Sequence, residues 1–118
     1  MNKMILNSAL ILSLPVFSVH AQNELSKEYL ANECHQLSEI VNSLVPSQHN
    51  STCVDKLYAS SIQLNTAAEM ILNDSNSVAK QILNNAVFDL QYAELNSCNR
   101  YIEISHSKFE AHKLKTRL

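Results

Sequence analysis

No glycine occurs anywhere in this 118-residue chain, and that absence constrains the fold more than any residue present. Glycine takes positive φ without steric cost, and the tight turns of β-hairpins depend on it. A chain with none is expected to avoid sheets. The same absence removes the glycine-dependent phosphate loop, the dinucleotide-binding turn and the nucleophile elbow, and with them several large enzyme classes. Only Pro15 and Pro46 interrupt what can otherwise be helical.

The first 21 residues read as a cleaved secretory signal peptide. Lys3 supplies a positive start, Met4 to Val19 is mostly apolar, and Val19 and Ala21 sit at the −3 and −1 positions of a small-residue cleavage site. The run is short for a membrane span and contains Pro15. The expected product is residues 22–118, one small domain, periplasmic or secreted.

Three apolar runs follow at helical spacing. Leu30, Cys34, Leu37, Val41 and Leu44 recur in steps of four and three, the signature of one helix face. Ser26 is placed to cap its start, Leu25 and Leu30 to staple it, and Pro46 to stop it. A second run opens with Thr52 as the expected cap and carries Val54, Leu57, Ser61, Leu64, Ala68 and Ile71, with Tyr58 and Leu72 widening the stripe. The five polar residues Asn73 to Ser77 then suit a helix–helix connection. The third run, from Val78, has Ala79, Leu83, Ala86, Leu90 and Ala93 on one stripe and Phe88, Tyr92, Leu95 and Ile102 on another beside it. The spacing favours one long helix to the C-terminus. The alternative is a break near Asn96–Asn99 that yields a fourth helix. The fold class is all-α, a small antiparallel bundle of three or four helices.

A turn centred between Ser75 and Asn76 runs the second and third helices antiparallel, so facing residues sum to about 151. Cys53 and Cys98 meet that condition. In an oxidising compartment they are expected to form a disulfide. Cys34 lies roughly 16 Å along the axis from Cys53 in a simple hairpin, beyond bridging distance. Its place in the first stripe suits a buried, inert thiol, with a disulfide in another register or a reactive or intermolecular thiol as alternatives.

Charge and motifs say less about activity. Residues 22–99 hold three Lys/Arg against nine Asp/Glu, whereas residues 100–118 hold five against two. An acidic body of this kind argues against nucleic-acid binding. Within a basic tail at 105–118, Lys108, Phe109, Lys113, Lys115 and Arg117 are the candidate partner-binding residues, for an acidic protein or, alternatively, an anionic lipid surface. Glu103 and His106 share a helix face, but a di-iron bundle needs two such units, so neither a metal nor another cofactor is expected. Asn50-Ser51-Thr52 and Asn73-Asp74-Ser75 match the short glycosylation pattern, which is weak in an Asn/Ser-rich chain. In size, leader and cysteine clasp the chain is similar to small helical proteins exported by Gram-negative bacteria, including periplasmic immunity proteins and secreted effectors. That resemblance implies a non-enzymatic protein that acts by binding another protein, as a monomer or a homodimer. It carries over no site residue.

Overall fold

The structure, a computed structural model, describes residues 26–118. The expected leader and Leu25 of the expected staple lie outside the described residues. Four α-helices follow one another: α1 Lys27–Ser43, α2 Ser51–Leu72, α3 Asn76–Leu95 and α4 Tyr101–Thr116, with a short 3₁₀ turn at Val45–Ser47. No strand occurs among the described residues.

The start of α1 is as the sequence requires: the Tyr29 N–H donates to Ser26 Oγ at 3.1 Å. Leu30, Cys34, Leu37, Val41 and Leu44 are all buried. Pro46 falls inside the 3₁₀ turn that ends the helical run. At α2 the cap is Asn50 rather than Thr52. Its Oδ1 accepts the Thr52 N–H at 2.7 Å, placing Thr52 inside the first turn. Asparagine is among the strongest capping residues, and here it comes first in the chain.

With no glycine available, the helix reversals use other residues in the left-handed region: Asp74 (φ 61°), Ser97 (φ 61°) and Arg100 (φ 65°). After α2, the Ser75 N–H bonds to the Met70 carbonyl and the Asp74 N–H to the Ile71 carbonyl. This is the paired closure usually made around a glycine, built here on Asp74. After α3 the same outer bond recurs, from the Cys98 N–H to the Ala93 carbonyl, around Ser97.

That second reversal overturns the expectation of one long helix. Breaking α3 from α4 leaves Asn99 free to meet the α1–α2 connection. The Asn99 N–H donates to Gln48 Oε1, Gln48 Nε2 donates to the Asn99 carbonyl, and Asn99 Nδ2 donates to the Ser47 carbonyl, each at 2.8 Å. The Cys53–Cys98 disulfide closes the same end, with Cα atoms 5.6 Å apart. The break is held by contacts 51 and 52 residues away in sequence.

Contacts across the seams fix an up-down-up-down bundle. Ser38 and Ser61 exchange buried hydroxyl and carbonyl bonds between α1 and α2 (2.8–3.1 Å). Asp89 of α3 accepts from Lys56 and Gln63 of α2 at 3.3 and 3.1 Å. Lys108 and Lys115 of α4 reach Glu94 and Asn84 of α3 at 2.6 and 3.1 Å. α4 also packs on α1, which closes the ring. The interior alternates large and small side chains. Leu57, Leu64, Ile71, Leu83, Leu90 and Ile104 are fully buried among alanines 67, 68, 79, 86, 93 and 111. Such pairing lets helices approach closely. One hydroxyl, that of Ser107, is buried without a hydrogen-bond partner.

Candidate functional site

The expected basic tail, 105–118, is most of α4 with its C-terminal end, and it is packed into the bundle: Ser107, Ala111 and Leu114 are buried. Its cations are divided between two seams. Lys108 and Lys115 face α3, and Lys108 is ion-paired with Glu94. Lys113 pairs with Glu110 at 3.0 Å and stands over the Phe109 ring, 5.3 Å from its centre. Arg117 lies toward α1. With Glu33, Ile40, His106, Glu110 and Lys113 it lines a shallow cleft of about 120 Å³ between α1 and α4. The five candidate residues therefore do not form one site. Lys108, Phe109 and Lys115 belong to the α3 side, Lys113 and Arg117 to the α1 side.

The α3 side is where the surface departs from the ordinary. Phe88, Tyr92 and Leu95, placed by their spacing on a single stripe, are 61, 40 and 69% exposed. The stripe lies opposite the buried Ala79, Leu83, Ala86, Leu90 and Ala93 of the same helix; Phe88 and Leu95 point outward, while Lys56 of α2 stands over the Tyr92 ring, 5.0 Å from its centre. Its remaining positions, among them Gln81, Asn84, Asn85 and Gln91, are polar but uncharged. The three charges of α3 sit on its flanks: Asp89 toward α2, Glu94 and Lys80 toward α4. A helix face with no charge over its whole length is unusual for a surface in contact only with water.

Beside this stripe a groove of about 420 Å³ runs between α3 and α4, lined by Val87, Gln91, Ser105, Lys108, Phe109 and His112. Phe109, on its α4 wall, is 57% exposed, and Ile102, nearer the start of α4, is 68% exposed. The Glu94 carboxyl is held below the usual carboxylate range, chiefly by the hydrogen bond from Lys108 and further by one from Ser105. The Glu94 carboxylate thus stays charged near neutral pH.

The other candidates take plain structural places. Cys34 is fully buried, and desolvation pushes its thiol up to about 12, with the nearby Glu33 carboxylate adding to the rise. A thiol so placed is neither nucleophile nor ligand. Adjacent His35 faces away from it and bonds Asn65 at 2.9 Å. Glu103 pairs with Arg100. Among the described residues no three His, Cys, Asp or Glu side chains converge as metal ligands. No described helix is long and apolar enough to cross a membrane. Comparison with known proteins finds no family model, curated protein or solved structure that matches the chain.

Sequence reasoning singles out Lys108, Phe109 and Lys115 and sets Phe88, Tyr92, Leu95 and Ile102 on a second stripe beside the core one, without assigning that stripe to a binding face. The available signal was the flank. These residues alternate with amides, not with the alanines and leucines that mark the core stripe of α3.

Proposed function

We propose that this is a small, exported, non-enzymatic binding protein, in the manner of a periplasmic inhibitor or a secreted effector. It acts by presenting the outer face of α3 to another protein. The observation that carries this reading is the exposed stripe of Phe88, Tyr92 and Leu95, on a face to which α3 itself contributes no charge, on a helix already packed on its other side. Aromatic and leucine side chains held on a rigid helix are efficient anchors, because little conformational freedom is lost when they are covered. The disulfide supports a location where thiols are oxidised. The leader at 1–21 supplies the route. Two features weigh against an anionic lipid surface as the target. The cations of α4 are split between opposite seams, and most are engaged within the protein.

The test is site-specific photo-crosslinking in the producing cell. A photoreactive phenylalanine analogue at position 88 should give a discrete protein adduct. The same analogue at Thr66, exposed on α2, should not. Absence of an adduct from both positions 88 and 95, or the same adduct from position 66, would overturn the reading.

A further inference from the structure

We infer that the α3–α4 groove receives one helix of the partner protein, apolar toward the disulfide end of the bundle and acidic toward the other. This rests on the binding reading above and adds the chemistry of the occupant. Two antiparallel helices with a straight furrow between them are complemented by a third helix, whose backbone polar groups are already satisfied. The groove is lined by Val87 and Gln91 of α3 and by Ser105, Lys108, Phe109 and His112 of α4, and the Glu94–Lys108 and Asn84–Lys115 contacts carry the α3–α4 seam beyond it in both directions.

The composition of the seam changes along its length. Toward the disulfide end α3 exposes Leu95 and α4 exposes Ile102; nearer the middle come Phe88 and Phe109, the latter lining the groove. Beyond them, the α3–α4 register set by Glu94–Lys108 and Asn84–Lys115 places Lys115 and then Lys80. Lys80 is exposed and makes no ion pair among the described residues. Lys108, in the groove, is matched by Glu94, whereas Lys115 meets only the amide of Asn84 and Lys80 has no carboxylate partner, an excess of positive charge along the α3–α4 seam on an otherwise acidic body. The neighbouring carboxylates face elsewhere, Asp89 to Lys56 of α2 and Glu110 to Lys113 beside the α1 cleft. The charge pattern therefore selects an acidic occupant, and its position fixes which end is acidic. A flat bilayer does not meet this requirement, because Val87 and Lys108 line the groove and a planar surface would strip water from the amides of Gln81, Asn85 and Gln91 without replacing their hydrogen bonds.

The experiment uses fluorescence anisotropy with the full folded protein and three synthetic amphipathic peptides. All share one leucine–alanine apolar face and carry Glu, Gln or Lys at the polar positions of their second half. The Glu peptide should bind about tenfold tighter than the Lys peptide, since several weak surface pairs change sign together. The preference should shrink in high salt. Lys80→Glu/Lys115→Glu should abolish the preference, and Phe88→Ala/Leu95→Ala, which removes only exposed side chains, should weaken all binding. Equal binding of the Gln or Lys peptide, or binding of none, overturns the proposal. Flotation of the protein with phosphatidylglycerol vesicles, lost on Phe88→Ala/Leu95→Ala, also overturns it. The crosslinking result above decides the parent reading separately: an adduct at position 88 with no acidic preference leaves that reading standing and this one refuted.

Discussion

Replacing both linked cysteines, Cys53→Ala/Cys98→Ala, should destabilise the protein by about 4 kcal/mol. The bond joins residues 45 apart. On the chain-entropy relation, closing a loop of that length removes about 13 cal/mol/K from the unfolded chain, or about 4 kcal/mol at 25 °C. A single domain of this size commonly has a total of about 5–14 kcal/mol, so the bond accounts for a large part of the margin. Folding should persist in the variant, because the hydrogen bonds between Gln48 and Asn99 hold the same end independently. The assay is urea unfolding followed by far-UV circular dichroism. With a denaturant slope of about 1.2 kcal/mol/M, the midpoint should fall by about 3 M. Reductant should bring the parent protein to the same midpoint and leave the variant unmoved. Thiol counting provides the internal check. The native protein should show no reactive thiol, since Cys34 is buried with its thiol pushed up to about 12. Denaturation alone should expose one, and denaturation with reduction three. A parent protein that unfolds at the same urea concentration with and without reductant would refute the reasoning.

Three further outcomes follow from the same geometry. Ser97→Gly should raise stability by about 0.5–1 kcal/mol, the relief of a left-handed serine less the extra freedom glycine gives the unfolded chain, whereas Ser97→Ala should bring no gain. Calorimetry distinguishes the two. Ser107→Ala removes a buried hydroxyl that has no partner, so it should be neutral or stabilising by about 1 kcal/mol in urea melts, the reverse of Ser38→Ala, which breaks a satisfied buried pair. Glu94 has a folded-state pKa below its unfolded value, so its contribution is complete above the unfolded value of about 4.3 and is lost as pH falls through the lower folded one. Glu94→Gln should therefore be less stable than the parent at pH 7, with the two curves converging below about pH 4; curves that stay parallel to pH 2 would contradict this.

Local signals were readable where the cause was local. Ser26, the stripe from Leu30 to Leu44, and the polar run after Leu72 each act within a few residues, and each did what its chemistry dictates. The pairing of Cys53 with Cys98 was readable because a single turn sets a helical register. The end of α3 was not. Asn96, Ser97 and Asn99 are poor helix formers, but none forbids a helix, and the interaction that decides the matter comes from Gln48 and Ser47 in a different loop. Preferring the unbroken helix over the break at Asn96–Asn99 also hides the groove, since α4 returns alongside α3 only because the chain reverses at Ser97–Arg100. The exposure of the Phe88–Leu95 stripe is not legible for a related reason. Apolar spacing on a helix identifies a face, and only the neighbours around it tell whether that face is covered.

The two ends of the bundle are not equivalent. One carries the disulfide and the amide clip; the other holds the start of α1, the Asp74 reversal and the end of α4, tied across by an exposed Lys27–Asp74 contact at 3.2 Å. Thermal openings should therefore begin at the latter end and die out toward the former, so amide deuteration should run as a gradient along every helix at once instead of singling one out. A guest lying along α3 would touch stiff ground first and mobile ground last, and its seating should slow exchange most in the residues farthest from the sulfurs.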